Sequence, residues 1–330
     1  MKKTTLNYTQ TASQPNLREV PAIANENRSR FFTWLGATGV PHWETNTHMS
    51  LRTIRNVVFF ASIACQLVYS QVTIVASSEF KTAIEDIRKS FQEQTGIPTR
   101  VTYGSSGAMA QRAKAPGTDI FLSSDKNWAD SLAATPRADD RPIVLASIPV
   151  CVWVRGSVLD PSNDLSHLGE KSPGDIVIPD TLLSPDGAAV VKALHNLPNW
   201  AGIRQRLFML PDPGSVVDSL AHQHVAEAPS TVDTTKSVDT AKSKKPPAPK
   251  KIRSLANGFM TQPLLWNNSL AGSGRWTPVD PALVPALAPT ALRLKSLNGA
   301  RTDAAKAFIA FLQAPRARAT LRANGFLPAP

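Results

Sequence analysis

From Val72 onward the chain alternates short apolar runs with stretches in which apolar residues recur every three or four positions. Strands followed by helices in this order predict an α/β fold with mostly parallel strands. Val72–Ala76 is the first expected strand. Through Ser77 and Ser78 it leads into a helix whose Phe80, Ala83, Ile84, Ile87 and Phe91 share one face, stopped at Gly96 with Pro98 just beyond. Pro98–Tyr103 is a second strand, Gly104–Gly107 a turn into another helix, and Asp119–Ser124 a third strand followed by a helix around Trp128. The long apolar run Ile143–Val154 fits a central strand buried on both faces. Ile176–Ile178 repeats the strand pattern, Ser184–Gly187 the turn, Ala188–Leu197 the helix, and Gly214-Ser215 opens a helix with Val216, Val217 and Leu220. Asn257–Trp266 returns to strand character, Ala291–Leu294 is a strand, and Asp303–Leu312 is an amphipathic helix.

Three segments break this texture. Residues 1–48 are polar and aperiodic, either a disordered extension or a stretch upstream of a natural start at Met49. Residues 49–70 read as a signal peptide: Arg52 and Arg55 precede the apolar Val57–Ala64, and Val68-Tyr69-Ser70 offers a cleavage site after Ser70. The alternatives are a membrane anchor, for which the run is short of the roughly 20 residues needed, and a lipoprotein acylated at Cys65, where Ser62 stands in place of the expected Leu. Residues 227–253 are rich in Pro, Ser, Thr and Lys with few large apolar side chains, the composition of a flexible insertion.

The formal net charge of +11 raises nucleic acid as a partner, but its distribution argues against one. Residues 1–70 and 227–253 each carry +4, which leaves +3 for the rest. Two cysteines, Cys65 and Cys151, exclude a disulfide framework, and the six histidines show no metal-ligand spacing, so neither a metal nor a cofactor is expected. Cys151, inside an apolar run, reads as a small buried hydrophobe.

Four turns, at Ser77-Ser78, Ser105–Gly107, Ser184–Gly187 and Gly214-Ser215, stand at expected helix starts. Unpaired N–H groups and the positive end of the dipole make each a potential anion seat, though Ser, Gly and Asp there are also ordinary caps. Converging seats bind a small oxyanion without Arg or Lys. A serine hydrolase built on Ser106 is the enzymatic alternative, but Ala108 stands where its motif needs glycine, and no Asp or His partner is identifiable.

The opening Val72–Ser78, the run Tyr103–Ala110 and the run Thr118–Trp128 resemble the periplasmic molybdate-binding proteins of ABC importers. Pro185-Asp186-Gly187, Gly258-Phe259-Met260 and Ala304–Phe308 through Leu312 to Gly325-Phe326 extend the resemblance over nearly all of 72–330 outside the insertion. It implies a two-lobed type II periplasmic binding fold, with lobe 1 over 71–148, lobe 2 over 149–276, residues 277–330 completing the pair, and a hinge near Pro149. The implied protein is a periplasmic monomer, not an enzyme, that holds molybdate, tungstate or a related oxyanion for an ABC permease. Ser106 would give a hydroxyl and an amide, Asp186 and Val216 amides, and Thr261 would stand where some members carry a Tyr hydroxyl. The family's first serine aligns with Glu79, one residue after Ser78. Molybdate offers only acceptors, so a carboxylate in its site finds no donor. Either Glu79 serves the helix dipole from outside and Ser78 takes the role, or the ligand is a protonated oxyanion or another donor-bearing molecule. A stand-alone sensor or scavenger of the same fold is the third functional reading.

Overall fold

The computed structural model describes residues 71–156, 160–169, 174–222 and 255–329. The expected extension, signal peptide and Lys-rich insertion lie outside the described residues. Along the chain, β1 (Val72–Ser77) is followed by α1 (Lys81–Thr95), β2 (Thr99–Gly104), α2 (Ser106–Lys114), β3 (Ile120–Ser123), α3 (Lys126–Ala133) and the short β4 (Ile143–Val144). The apolar face of α1 is buried as its periodicity requires, and Gly96 ends it in the left-handed region at φ 71°.

The chain then crosses to a second sheet. Its elements are β5 (Val150–Arg155), β6 (Asp175–Pro179), α4 (Pro185–His195), α5 (Trp200–Arg206), β7 (Leu207–Leu210), α6 (Pro213–His222), β8 (Leu255–Thr261), the short α7 (Gln262–Trp266) and α8 (Leu270–Ser273), and β9 (Gly274–Pro278). A second crossing returns to the first sheet through β10 (Thr290–Arg293), α9 (Gly299–Gln313) and α10 (Pro315–Ala323). The sheets have the orders β2-β1-β3-β10-β4 and β7-β6-β8-β5-β9. Both are mixed, where mostly parallel sheets were expected. β10 runs antiparallel to β3 and β4, and β5 runs antiparallel to β8 and β9. The reversed strands are the first or last to enter a sheet after a crossing, so they arrive from the far lobe and not over a crossover helix.

The crossings correct the reading of 143–154 as one central strand. Ala146 and Ile148 pack into the first lobe's core, whereas Val150 and Val152 pack into the second's. The run is apolar throughout because it passes from one core to the next, and Pro149 stands at the passage. The two crossing segments pair there: Ile148 N–H donates to Leu287 O and Leu287 N–H to Ile148 O, each at 2.9 Å. Likewise Asn257–Trp266, expected as strand, turns helical at Gln262, where Pro263 enters the first turn.

The C-terminal helices complete the first lobe. Phe308 of α9 meets Phe91 of α1 edge-on at 5.0 Å, and Phe326 stacks on Phe80 at 5.2 Å. In the second lobe the buried Trp153 donates its indole N–H to Leu270 O at 2.8 Å. Cys151 is buried beside it, and burial pushes its thiol pKa up to about 12, which leaves it inert.

Candidate functional site

Each strand that points its C-terminal end at the junction of the lobes hands over to a helix start. In the first lobe, β1 ends in a tight turn, Ser78–Phe80, whose three residues are all buried. Ser78 Oγ donates across the junction to Asp212 Oδ1 at 3.3 Å. At the start of α2, Ser105 Oγ accepts from Ala108 N–H as an N-cap. Ser106 Oγ lies 2.8 Å from Ser124 Oγ and accepts from Ser124 N–H at 3.1 Å, which ties the α2 turn to the end of β3. Gly107 N–H donates to Leu183 O of the second lobe at 2.8 Å. A Cβ on Gly107 would stand 2.8 Å from the Trp128 ring and 3.0 Å from Leu183 Cα, so the lobes approach this closely only because the position is glycine.

In the second lobe, α4 opens with Pro185 after Ser184, whose side chain makes no capping bond. Asp186 follows, 1% exposed, and then Gly187, where a Cβ would come within 2.4 Å of Pro179 O. This close approach of α4 to β6 holds Asp186 inward. The start of α6 is filled from within the chain. Asp212 Oδ1 accepts from Gly214 N–H at 2.9 Å and Ser215 N–H at 3.2 Å, and Oδ2 accepts from Ser215 Oγ at 2.6 Å. The Val216 amide donates to Asp212 O at 3.4 Å. In this closed arrangement the anion seat of α6 is therefore occupied by Asp212.

Two carboxyl groups at the junction lack such partners. Glu79, 3% exposed, and Asp186 have all four side-chain oxygens buried with no hydrogen bond. Burial raises the pKa of Glu79; the hydroxyls of Ser77 and Ser124 stand near enough to oppose the rise without closing a hydrogen bond of normal geometry, and the charge of Asp212 adds to it. Asp186 is held well above the carboxylate range, first by burial and then by the charge of Glu79, with Asp125 contributing. Asp125 itself is raised by burial, against a hydrogen bond donated by Ser123 Oγ at 3.1 Å. The hydroxyls of Ser77, Ser184 and Thr261 are likewise buried without partners. An open groove of about 590 Å³ runs between the lobes and is lined by Glu79, Glu85, Asp86, Asp212 and Asp218, with Lys81 opposite in sign.

Of the residues expected from sequence, Ser78, Ser106 and Asp186 lie on turns that meet at the junction, and Thr261 sits at the end of β8 as the residue before α7. Glu79 does not serve its helix from outside: it is buried, and its charge acts on the other lobe's Asp186. Nor does the Asp186 side chain cap its helix or face solvent. Sequence reasoning missed Asp212, Ser124 and Asp125. Asp212 had a readable signal, an Asp before Pro at a helix start. Ser124 had none, since it acts through a residue 18 positions away. Among the described residues no three His, Cys, Asp or Glu side chains gather to hold a metal ion, and no helix is long and apolar enough to cross a membrane.

Comparison with known proteins gives these features a setting. The fold is similar to that of the Azotobacter vinelandii periplasmic molybdate-binding protein, with TM-score 0.62 and 17% identity over 78% of this chain and 100% of that one. It is also similar to Peb3 from Campylobacter jejuni, with TM-score 0.54 and 14% identity over 78% of this chain and 100% of that one. The sulfate-binding protein SubI from Mycobacterium tuberculosis gives TM-score 0.54 and 14% identity over 79% of this chain and 88% of that one. At such identities the likeness shows the fold, two α/β lobes of a periplasmic binding protein. No curated protein matches the sequence. The family model of bacterial extracellular solute-binding proteins matches residues 72–327, and the chain belongs to that family.

Proposed function

We propose that this protein is exported through a signal peptide cleaved near Ser70, captures a small oxyanion between its lobes and presents it to the permease of an ABC transporter. The observation that carries the reading is the convergence of helix starts from both lobes on one junction, joined by Ser78 to Asp212 and by Gly107 to Leu183. Helix N-termini with serine hydroxyls bind anions without a formal positive charge. The described part of the junction has that character on the side of Ser78, Ser106 and the Asp186 turn. Closing two lobes over the ligand is the expected capture motion, with the paired crossings at Ile148 and Leu287 as hinge.

Molybdate and tungstate are the first ligands to try, because the residues at 72–78, 103–110 and 118–128 resemble molybdate binders and one structural neighbour is named for molybdate. Calorimetric titration of the purified protein with molybdate, tungstate, sulfate and phosphate tests the reading. At least one of the four is expected to bind at a single site. Ser106→Ala is expected to weaken that ligand about ten- to hundredfold, the value of one hydrogen bond to a charged group. Binding that Ser106→Ala leaves unchanged would move the site away from the α2 turn.

A further inference from the structure

The oxyanion reading uses the helix starts at Ser78, Ser106 and Asp186 and leaves unexplained the acidic groove beside them. That groove reaches the turns themselves. Ser77 pairs with Gly104 at the parallel ends of β1 and β2, which sets the Ser78 turn next to the Ser105-Ser106 turn. Ser78, Glu79 and Tyr103 line the groove from the first lobe, and Gly214 and Ser215 from the second. Its volume of about 590 Å³ is that of a pocket for a small organic molecule and exceeds what a bare tetrahedral anion needs. Five carboxyl groups line it against one cation, Lys81, among the described residues. Two of the five are already engaged: Glu85 accepts from Tyr103 Oη at 2.8 Å and Arg88 Nε at 2.7 Å, and Asp212 takes the amides that open α6. Asp86 and Asp218 are exposed and form no ion pair among the described residues. Glu79 is 3% exposed, and neither of its carboxyl oxygens has a hydrogen-bond partner. A buried acceptor of this kind calls for a donor, and the charge around the groove favours a cationic one.

Resting on that oxyanion reading, we propose that the ligand is a zwitterion, an oxyanion carrying an ammonium group on a short carbon arm, and that the arm lies in this groove with its ammonium on Glu79. The ligand's anionic end takes the helix starts at Ser78 and Ser106. Its ammonium brings three donors and no acceptor, so it satisfies Glu79 without adding an unpaired group, and Asp86 and Asp218 attract it from the exposed rim. Asp212 reinforces the division, because by filling the α6 seat it keeps the anionic end out of the groove. A ligand lacking the ammonium leaves the buried acceptor bare and binds less tightly for that reason. Free aminoalkyl phosphonates and the headgroup of an ethanolamine phospholipid share this chemistry.

The test is calorimetric titration of the purified protein with 2-aminoethylphosphonate, ethylphosphonate, inorganic phosphate, molybdate, glycerophosphoethanolamine and putrescine. Wild type is expected to bind 2-aminoethylphosphonate about ten- to hundredfold more tightly than ethylphosphonate, the value of one hydrogen bond to a charged group. Glu79→Gln is expected to remove most of that advantage and leave ethylphosphonate little changed, whereas a merely structural role for Glu79 would weaken both ligands alike. Asp218→Asn, a surface change, is expected to cost 2-aminoethylphosphonate about two- to fivefold, the value of an exposed ion pair, and keeps the test decisive if Glu79→Gln folds poorly. Glycerophosphoethanolamine separates the two sources: tighter binding than 2-aminoethylphosphonate supports a headgroup ligand, and weaker binding supports a free solute. Ethylphosphonate, phosphate or molybdate bound as tightly as both amine-bearing anions overturns the ammonium arm and leaves the oxyanion reading standing. A folded wild type that binds putrescine more tightly than every anion, or binds none of the six, overturns both.

Discussion

Replacing Arg301 by methionine is expected to lower the unfolding free energy by about 3–5 kcal/mol, the usual consequence of stripping a buried charge of its partner. Arg301 lies in the first turn of α9, and its Nη2 donates to Gly117 O at 2.8 Å, to Thr73 Oγ1 at 3.2 Å and to Asp119 Oδ2. Asp119 is fully buried, and the same oxygen accepts from Thr73 N–H at 2.8 Å. One carboxylate thus binds β1, the loop before β3 and a helix 182 residues further along the chain. Removing the guanidinium strands that carboxylate in the core, whereas removing both charges does not. Asp119→Asn combined with Arg301→Met is therefore expected to recover a large part of the loss. Urea unfolding with an unchanged m-value measures both. A single-variant loss below about 1 kcal/mol would show that water reaches Asp119 and that the C-terminal return to the first lobe is held by apolar packing alone.

That tie also shows where the sequence is legible. Periodicity placed α1, α4 and α9 and most of the strands, because each of those elements buries one face and writes it at a fixed spacing. It failed at Ile143–Val154, where apolar residues belong to two successive cores and no spacing marks the change. Nor could it set strand direction, which depends on the lobe from which a strand arrives. Trp200–Arg206, Leu207–Leu210 and Pro315–Ala323 went unassigned, since their apolar faces are narrow and are completed by neighbours distant in sequence. The candidate site was half visible. Helix-start turns are local chemistry, so the Ser and Gly positions stood out. What those turns meet is tertiary. A Glu in a first helical turn is common on a protein surface, and only the folded junction shows that Glu79 is buried and that its charge acts on an Asp of the other lobe.

The same pair is expected to make the ligand-free protein an acid-favoured structure, with Glu79→Gln/Asp186→Asn more stable than wild type by about 2–6 kcal/mol near pH 8 and little different near pH 4. Both carboxyls have folded pKa values raised above those of the free side chains, mainly by burial. A group of that kind contributes its full stability below its unfolded pKa, and the contribution is lost as pH rises through the folded value. The wild-type advantage of acid should therefore fade from the ordinary carboxylate range upward, while the amide variant, which does not titrate, should stay level. Thermal unfolding at pH 4, 6 and 8 reads the difference. If the variant gains nothing at pH 8, or gains most at pH 4, the carboxylates are ionised and compensated, and their burial is structural. If the gain grows with pH, the protein carries an unsatisfied pair in its closed state that a ligand relieves. Uncompensated acceptors of this sort are what a binding site retains at the expense of stability.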